Sequence, residues 1–120
     1  MSKTILAVDD SASIRQLVSH TLRTAGFQVI EACDGKDALA KLTAPVHLVL
    51  TDLNMPNLDG LGLTKAIRAN ATHRYTPILL LTTESDPARK AEGKAAGATG
   101  WLVKPFQPEQ LLATIRKVLA

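Results

Sequence analysis

Five polar side chains stand where apolar segments of this sequence end, and their types could act together chemically. Asp9 and Asp10 follow one apolar run, Asp52 a second, Thr82 a third and Lys104 a fourth. Three carboxylates in one place repel each other, so at least one pKa would rise unless a cation intervened. Mg²⁺ prefers such oxygen ligands together with waters and a phosphate oxygen. The residues predict a divalent-cation site; acids that simply face solvent, with Asp10 capping a helix, are the alternative.

Asp52 could also act as a nucleophile. A carboxylate can attack a phosphoryl group and hold it as an acyl phosphate. Such a transfer depends on positioning and on neutralised charge more than on acid–base chemistry. A cation on one side and Lys104 on the other would supply the charge, and Thr82 could donate a hydrogen bond to a phosphoryl oxygen. Taken singly, Thr82 also fits an ordinary strand-end hydroxyl, and Lys104 a surface lysine.

These residues need a scaffold, and the sequence alternates apolar runs with segments of helical periodicity. The apolar runs predict five strands, at residues 4–10, 27–32, 45–52, 76–83 and 100–105. The helix-period segments predict five helices, at residues 11–26, 35–44, 61–70, 85–97 and 107–120. Gly26 is expected to end the first helix, and Ser85 or Asp86 to cap the fourth ahead of Pro87.

The alternation predicts an α/β fold. Near-continuous apolar strands indicate burial on both faces, so we expect a doubly wound, five-stranded parallel (βα)5 sheet with helices on each side. Ligands bind outside the carboxyl ends of the strands in such sheets. All these ends share one edge, so the acids, the hydroxyl and the ammonium are predicted to meet in one crevice.

Composition favours one soluble domain over residues 1–120, without an effector domain. The chain is 46% hydrophobic and 21% charged, which suffices for a core of its own. A cytoplasmic location is expected, because no apolar run reaches the ~18 residues of a membrane span and no signal peptide precedes the first acids.

Cys33 cannot form an internal disulfide and is expected to be small and buried. The net charge is +3, but most Lys and Arg residues are scattered along the chain and no basic run is interleaved with aromatic residues, which argues against nucleic-acid binding.

Four segments together resemble the response-regulator receiver domains, and in particular the single-domain, CheY-like regulators of bacterial chemotaxis. The segments are AVDDS, TDLNMPNLDG, PILLLTT and WLVKPF, and the resemblance covers the whole chain. It implies the flavodoxin-like strand order 2-1-3-4-5. It also implies a phosphoacceptor that takes part in its own phosphorylation and dephosphorylation, rather than an enzyme acting on external substrates.

The resemblance assigns roles by position. Asp52 becomes the phosphoacceptor, and Asp9, Asp10, Asp52 and the backbone carbonyl of Asn54 become ligands of Mg²⁺, for which Mn²⁺ can substitute. Thr82 becomes a switch hydroxyl, with Lys104 as the ionic partner of the phosphoryl group.

The resemblance has further implications for individual positions. The bond from Lys104 to Pro105 is expected to be cis, and Trp101 stands where the family keeps a switch aromatic that turns inward on activation. Asn54 and Glu84 occupy positions that tune dephosphorylation in similar proteins.

The implied partners are proteins. A histidine kinase would donate the phosphoryl group, and a downstream target would bind the face formed by helix 4, strand 5 and helix 5. A phosphatase would be an optional further partner, and neither nucleic acid nor membrane is expected. The predicted fourth helix carries Arg89, Lys90 and Lys94, which differs from the more apolar surface expected of a flagellar-motor binder. Gly93 inside it costs roughly 1 kcal/mol relative to Ala.

Three other functions are alternatives to this switch. A phosphatase or phosphotransferase would be expected to have a general acid two residues after Asp52, and Asn54 at that position cannot donate a proton in that role. An FMN carrier would want a phosphate-cradling loop after the first strand, where two carboxylates stand instead. A receiver reduced to a scaffold is disfavoured by the intact set of acids, Thr82 and Lys104.

Overall fold

The computed structural model describes residues 3–83 and 87–119, apart from the side chain of Pro87. It contains five strands: β1 (Thr4–Val8), β2 (Gln28–Ala32), β3 (Leu48–Asp52), β4 (Ile78–Thr82) and β5 (Gly100–Val103). Five helices alternate with them: α1 (Ala12–Thr24), α2 (Gly35–Ala40), α3 (Gly60–Arg68), α4 (Pro87–Ala96) and α5 (Pro108–Leu119). The predicted helix cap at Ser85 or Asp86 and the predicted tuning residue Glu84 lie outside the described residues.

The strands form one parallel sheet in the order β2-β1-β3-β4-β5, which confirms the predicted fold and strand order. The three inner strands are almost wholly buried, as their unbroken apolar sequences require. Alternate residues of each strand therefore belong to different cores, one on each face of the sheet.

Two apolar cores lie on opposite faces of the sheet. One is built from α1 and α5 against the sheet, and its buried members include Val18, Leu22, Leu50, Leu81, Leu111 and Ile115. The other is built mainly from α2 and α3 and includes Ala38, Leu63, Ile67, Val49 and Leu80, with Trp101 packed against it. No helix in the described part of the chain is long and apolar enough to cross a membrane.

The strands are shorter than the apolar runs predict. β3 begins at Leu48 rather than Pro45. The His47 N–H donates to the Thr4 carbonyl, but the Thr4 N–H donates to Nδ1 of His47, so a side chain replaces the backbone acceptor there. β1 ends at Val8 and β5 at Val103, so Asp9 and Lys104 begin loops. Apolar sequence predicts which residues are buried, whereas the bounds of a strand depend on the neighbour that pairs with it.

Cys33 is exposed, and the prediction that it is buried is wrong. It follows β2, an edge strand of the sheet, and precedes Asp34, which caps α2. Its N–H donates to Oδ2 of Asp37, so its backbone is paired while its thiol lies at the surface.

The loop after β3 is fixed where it leads into α3 and in its middle. Gly60 packs so close to the β3 terminus that a Cβ there would lie 2.5 Å from the carbonyl oxygen of Asp52. In the middle of the loop, Asn57 adopts a left-handed φ of 68° and its Nδ2 donates to Oδ2 of Asp34 at 2.7 Å. Asn is among the few residues that tolerate this conformation. The loop is therefore a fixed support for the residues that follow Asp52.

Candidate metal centre

The carboxyl edge of the sheet brings together the polar residues that follow its strands. Asp52 is the last residue of β3 and Thr82 the last of β4, while Asp9 and Lys104 directly follow β1 and β5. The backbone N–H of Lys104 donates to the carbonyl of Thr82, which extends the pairing of β5 with β4 by one residue. Convergence at one edge follows from the parallel sheet, as the sequence predicts.

Three carboxylates form a cluster there. Each of Asp9, Asp10 and Asp52 offers one oxygen, and these oxygens all lie within 4.8 Å of one another. Asp9 is buried, Asp52 is partly buried and Asp10 is exposed, so the cluster has an open side. A set of hard oxygen donors with one side open to water suits a divalent cation that keeps some of its waters.

Lys104 is inserted between two of the carboxylates. Its Nζ lies 3.1 Å from Oδ2 of Asp9 and 3.1 Å from Oδ1 of Asp52. The Lys104 side chain is only 12% exposed, so solvent screens these ion pairs less than it would a surface pair. Three carboxylates against one ammonium still leave an excess of negative charge, which a divalent cation would neutralise.

Burial sets the ionisation of the site. Desolvation raises the pKa of Asp52, and the neighbouring charge of Asp9 raises it further, while Lys104 and the Leu53 N–H act in the opposite direction. Burial alone would lower the pKa of Lys104, but the charges of Asp52 and Asp9 outweigh burial and raise it. Lys104 is therefore a permanent cation, and Asp52 is a carboxylate whose ionised form is disfavoured without a further cation.

Local hydrogen bonds fix the orientation of Asp9. Its Oδ1 accepts from the Ser11 N–H at 2.9 Å, and Ser11 in turn caps α1 by accepting from the Ile14 N–H. Its carbonyl oxygen accepts from Nη1 of Arg15 at 2.7 Å, and Nε of Arg15 lies 3.4 Å from Oε1 of Glu31. Ser11, rather than Asp10, is the helix cap, which leaves the Asp10 carboxylate available to the cluster.

The remaining predicted residues have different surroundings. Thr82 is buried, and the Lys104–Pro105 peptide bond is cis. Asn54 is exposed in the loop after β3, where its Oδ1 accepts from Nη2 of Arg89 at 3.3 Å. Trp101 is partly buried: its ring packs against Gly93 of α4, and its buried Nε1 has no partner among the described residues.

Sequence reasoning did not identify Arg15 and Arg89 as residues near the site. Arg15 lies one turn into α1, six residues after Asp9, so its helical position could have indicated that it points back to the strand end. Arg89 reaches Asn54 across 35 positions of sequence, and no local pattern indicates that contact.

Comparison with known proteins identifies the family. Residues 5–116 match the family described as the response regulator receiver domain. A probable transcriptional regulator, ycf27, from Porphyridium aerugineum is 43% identical over 117 residues; the match covers 96% of this chain but 47% of that protein, so this chain spans about half its length. Chemotaxis protein CheY1 of Helicobacter pylori strain 26695 is 36% identical over 118 residues, covering 96% of this chain and 95% of CheY1.

A solved structure agrees with the sequence comparison. Chemotaxis response regulator CheY4 of Vibrio cholerae superposes with a TM-score of 0.95 at 54% identity, covering 99% of this chain and all of that one. The match to the family profile spans nearly the whole chain, and the fold and the acidic cluster agree with it. This chain belongs to the response regulator receiver domain family of two-component signalling.

Proposed function

We propose that this chain is a phosphoacceptor switch, phosphorylated on Asp52 by a histidine kinase in chemotaxis-type signalling. The observation that carries the proposal is the cluster itself: three carboxylates within 4.8 Å, two of them in contact with one lysine whose side chain is only 12% exposed. That set supplies a nucleophile, a cation site and a fixed positive charge, which are the groups that phosphoryl transfer requires.

The contacts of Asp52 support its role as nucleophile. Leu53 N–H and Lys104 Nζ both donate to Oδ1, at 3.0 and 3.1 Å. We infer that Oδ2 attacks: it forms a bond to phosphorus, and the donor's bond to phosphorus breaks with its electron pair leaving on the donor. Oδ1 then becomes the carbonyl oxygen of the acyl phosphate, and the Leu53 N–H can keep donating to it without having to reorganise.

We further propose that the cation is Mg²⁺, held by Asp9, Asp10, Asp52 and the backbone carbonyl of Asn54, and that Mn²⁺ can replace it. When bound, the ion neutralises the incoming phosphoryl oxygens. The hard oxygen donors and the open side at Asp10 support this choice. Lys104 would then change partners, from the carboxylates to the phosphoryl group.

Thr82 and Trp101 are the proposed switch residues. Thr82 is buried at the end of β4, next to the β5 segment that carries Trp101 and leads to Lys104. A Thr82 hydroxyl that moves to a phosphoryl oxygen would free space, into which Trp101 could turn. Because the Trp101 ring packs on α4, that motion would alter the face formed by α4, β5 and α5, which we propose binds the downstream target.

The proposal extends to the cellular setting. The protein would act in the cytoplasm, take part in its own phosphorylation and dephosphorylation, and transform no external substrate. Asn54 stands where a phosphatase of this kind would need a general acid, which supports that restriction. Glu84 and Asn54 are the proposed tuning positions for dephosphorylation, with a phosphatase as an optional partner.

Intact-mass measurement after incubation with acetyl phosphate tests the proposal. We expect one added phosphoryl group that requires Mg²⁺ and is absent from Asp52→Asn. Glu109→Gln is a matched control, since it removes an exposed carboxylate in the first turn of α5 that is outside the cluster. Labelling of Asp52→Asn at the wild-type level, or no labelling of the wild type, would overturn the assignment.

A further inference from the structure

A side chain of α4 contacts the loop that follows Asp52. Arg89, near the start of α4, donates from Nη2 to Oδ1 of Asn54 at 3.3 Å, and its Nη1 lies 3.5 Å from Oε2 of Glu92. We propose that Arg89 is a positioning residue: it fixes the Asn54 side chain at the mouth of the site and thereby slows hydrolysis of the phosphoryl group on Asp52. The inference rests on the proposed phosphorylation of Asp52.

The Asn54 side chain needs such a restraint. Its backbone belongs to the rigid loop after β3, which is fixed by the close approach of Gly60 and by the bond from Asn57 to Asp34. The side chain itself is exposed, and an exposed side chain changes rotamer rapidly unless another group holds it. Arg89 is partly buried, with 27% of its side chain exposed, so its guanidinium is better ordered than a fully exposed one.

The position of Asn54 matters because of the geometry of hydrolysis. A water oxygen forms a bond to phosphorus while the bond from phosphorus to the Asp52 oxygen breaks, and the electron pair of that bond returns to the carboxylate. Both protons of the water leave on the inorganic phosphate, as H2PO4⁻. The attacking water enters in line with the breaking bond, on the side of phosphorus opposite Asp52. Asp9 is buried and the Lys104 side chain is only 12% exposed, so water has to enter from the exposed side of the site, and Asn54 is exposed two residues beyond Asp52. An amide held there narrows that approach.

The positive charge of Arg89 could act without Asn54, by stabilising charge on the phosphoryl oxygens. The two roles differ in what they require. A pure charge effect would persist in Asn54→Ala and would be shared by other cationic side chains at the same edge of the sheet. Positioning acts only through the Asn54 side chain. A double-mutant cycle separates them.

The experiment measures the loss of the phosphoryl group by intact mass after the phosphodonor is removed, in the presence of Mg²⁺. Arg89→Gln is expected to lose it roughly threefold faster than wild type, as a modest hydrogen bond would give. Lys36→Gln is the charge-matched control, since Lys36 is exposed in the first turn of α2 at the same edge of the sheet, and it should match wild type. In an Asn54→Ala background, Arg89→Gln should cause no further change.

Several outcomes would overturn the inference: an unchanged or slower rate in Arg89→Gln, the same acceleration in Lys36→Gln, or an undiminished effect of Arg89→Gln without Asn54. Arg89→Lys keeps the charge but not the planar fork and should fall between wild type and Arg89→Gln. Should Arg89→Gln fail to fold, the Lys variant carries the test, with a rate equal to wild type counting against the inference. If wild type is not labelled on Asp52, the proposed function fails; if it is labelled normally and Arg89 has no effect, only this inference fails.

Discussion

Gly93→Ala tests whether the contact between α4 and Trp101 is as close as the structure indicates. Gly93 is buried in the middle of α4, where glycine is a poor helix former. An added Cβ would lie 2.8 Å from Cδ1 of Leu80 and 3.0 Å from Cζ3 of Trp101. Ordinary contacts between carbon atoms are about 3.5–4.0 Å, so both neighbours would have to move.

Two opposing effects decide the outcome. Helix propensity favours Ala by roughly 1 kcal/mol, whereas overpacking a filled site costs about 1–3 kcal/mol. Leu80 is fully buried in an inner strand of the sheet, so its Cδ1 has to displace other core atoms in order to move. We therefore take the overpacking cost from the upper half of that range and expect Gly93→Ala to be about 1 kcal/mol less stable than wild type. The thermal midpoint should fall by roughly 4 °C.

Urea unfolding measures the free energy directly, and Trp101 emission reports the contact in the same experiment. Ala91→Gly is the matched control. Ala91 is exposed on the same helix, so this substitution changes helix propensity alone and should destabilise the protein by about 1 kcal/mol. Stabilisation of Gly93→Ala by the amount that Ala91→Gly loses, with unchanged emission, would refute the close contact. In that case Gly93 would affect stability only by lowering the helix propensity of α4.

Two further predictions concern Asp52 and the loop that follows it. Asp52→Asn should stabilise the metal-free fold at pH 7, because burial raises the Asp52 pKa and the ionised form is costlier in the folded state. Because the folded-state pKa of Asp52 is raised, wild type carries no such penalty below the unfolded-state pKa of 3.8 and acquires it as pH rises through the folded-state pKa. The stability that Asp52→Asn gains should therefore shrink on acidification. Urea unfolding across that pH range checks this, and a gain independent of pH would contradict it. Asn57→Ala should cost about 1–2 kcal/mol, for the lost bond to Asp34 and a positive φ. Asn57→Gly should cost about 1 kcal/mol less, because Gly adopts that φ freely; equal losses in thermal unfolding would exclude backbone strain.

Much of the fold is predictable because burial and periodicity are properties of sequence. Strands that are apolar throughout have to be covered on both faces, which requires a parallel sheet between two layers of helices. Helix starts are marked by side chains such as Asp34 and Asp59, whose carboxylates accept from the backbone N–H groups of the first turn. Strand bounds and the exposure of Cys33 were less predictable, since they depend on edge position and on neighbouring strands.

The composition of the site was predictable for a topological reason. In a parallel sheet every strand ends at the same edge, so residues that follow different strands meet whatever their separation in sequence. Asp9, Asp52 and Lys104 could be grouped on that ground before their contacts were known, although the order of strands came from resemblance to a family.

Residue types and their order already specify which acids, which lysine and which hydroxyl stand at the carboxyl edge of the sheet. The contacts that couple these groups to the rest of the protein arise only when the chain folds. The insertion of Lys104 between two carboxylates, the packing of Trp101 on Gly93 and the contact of Arg89 with Asn54 each join distant segments. Such contacts depend on ångström-scale distances between side chains on separately packed elements, and neither periodicity nor residue type encodes those distances.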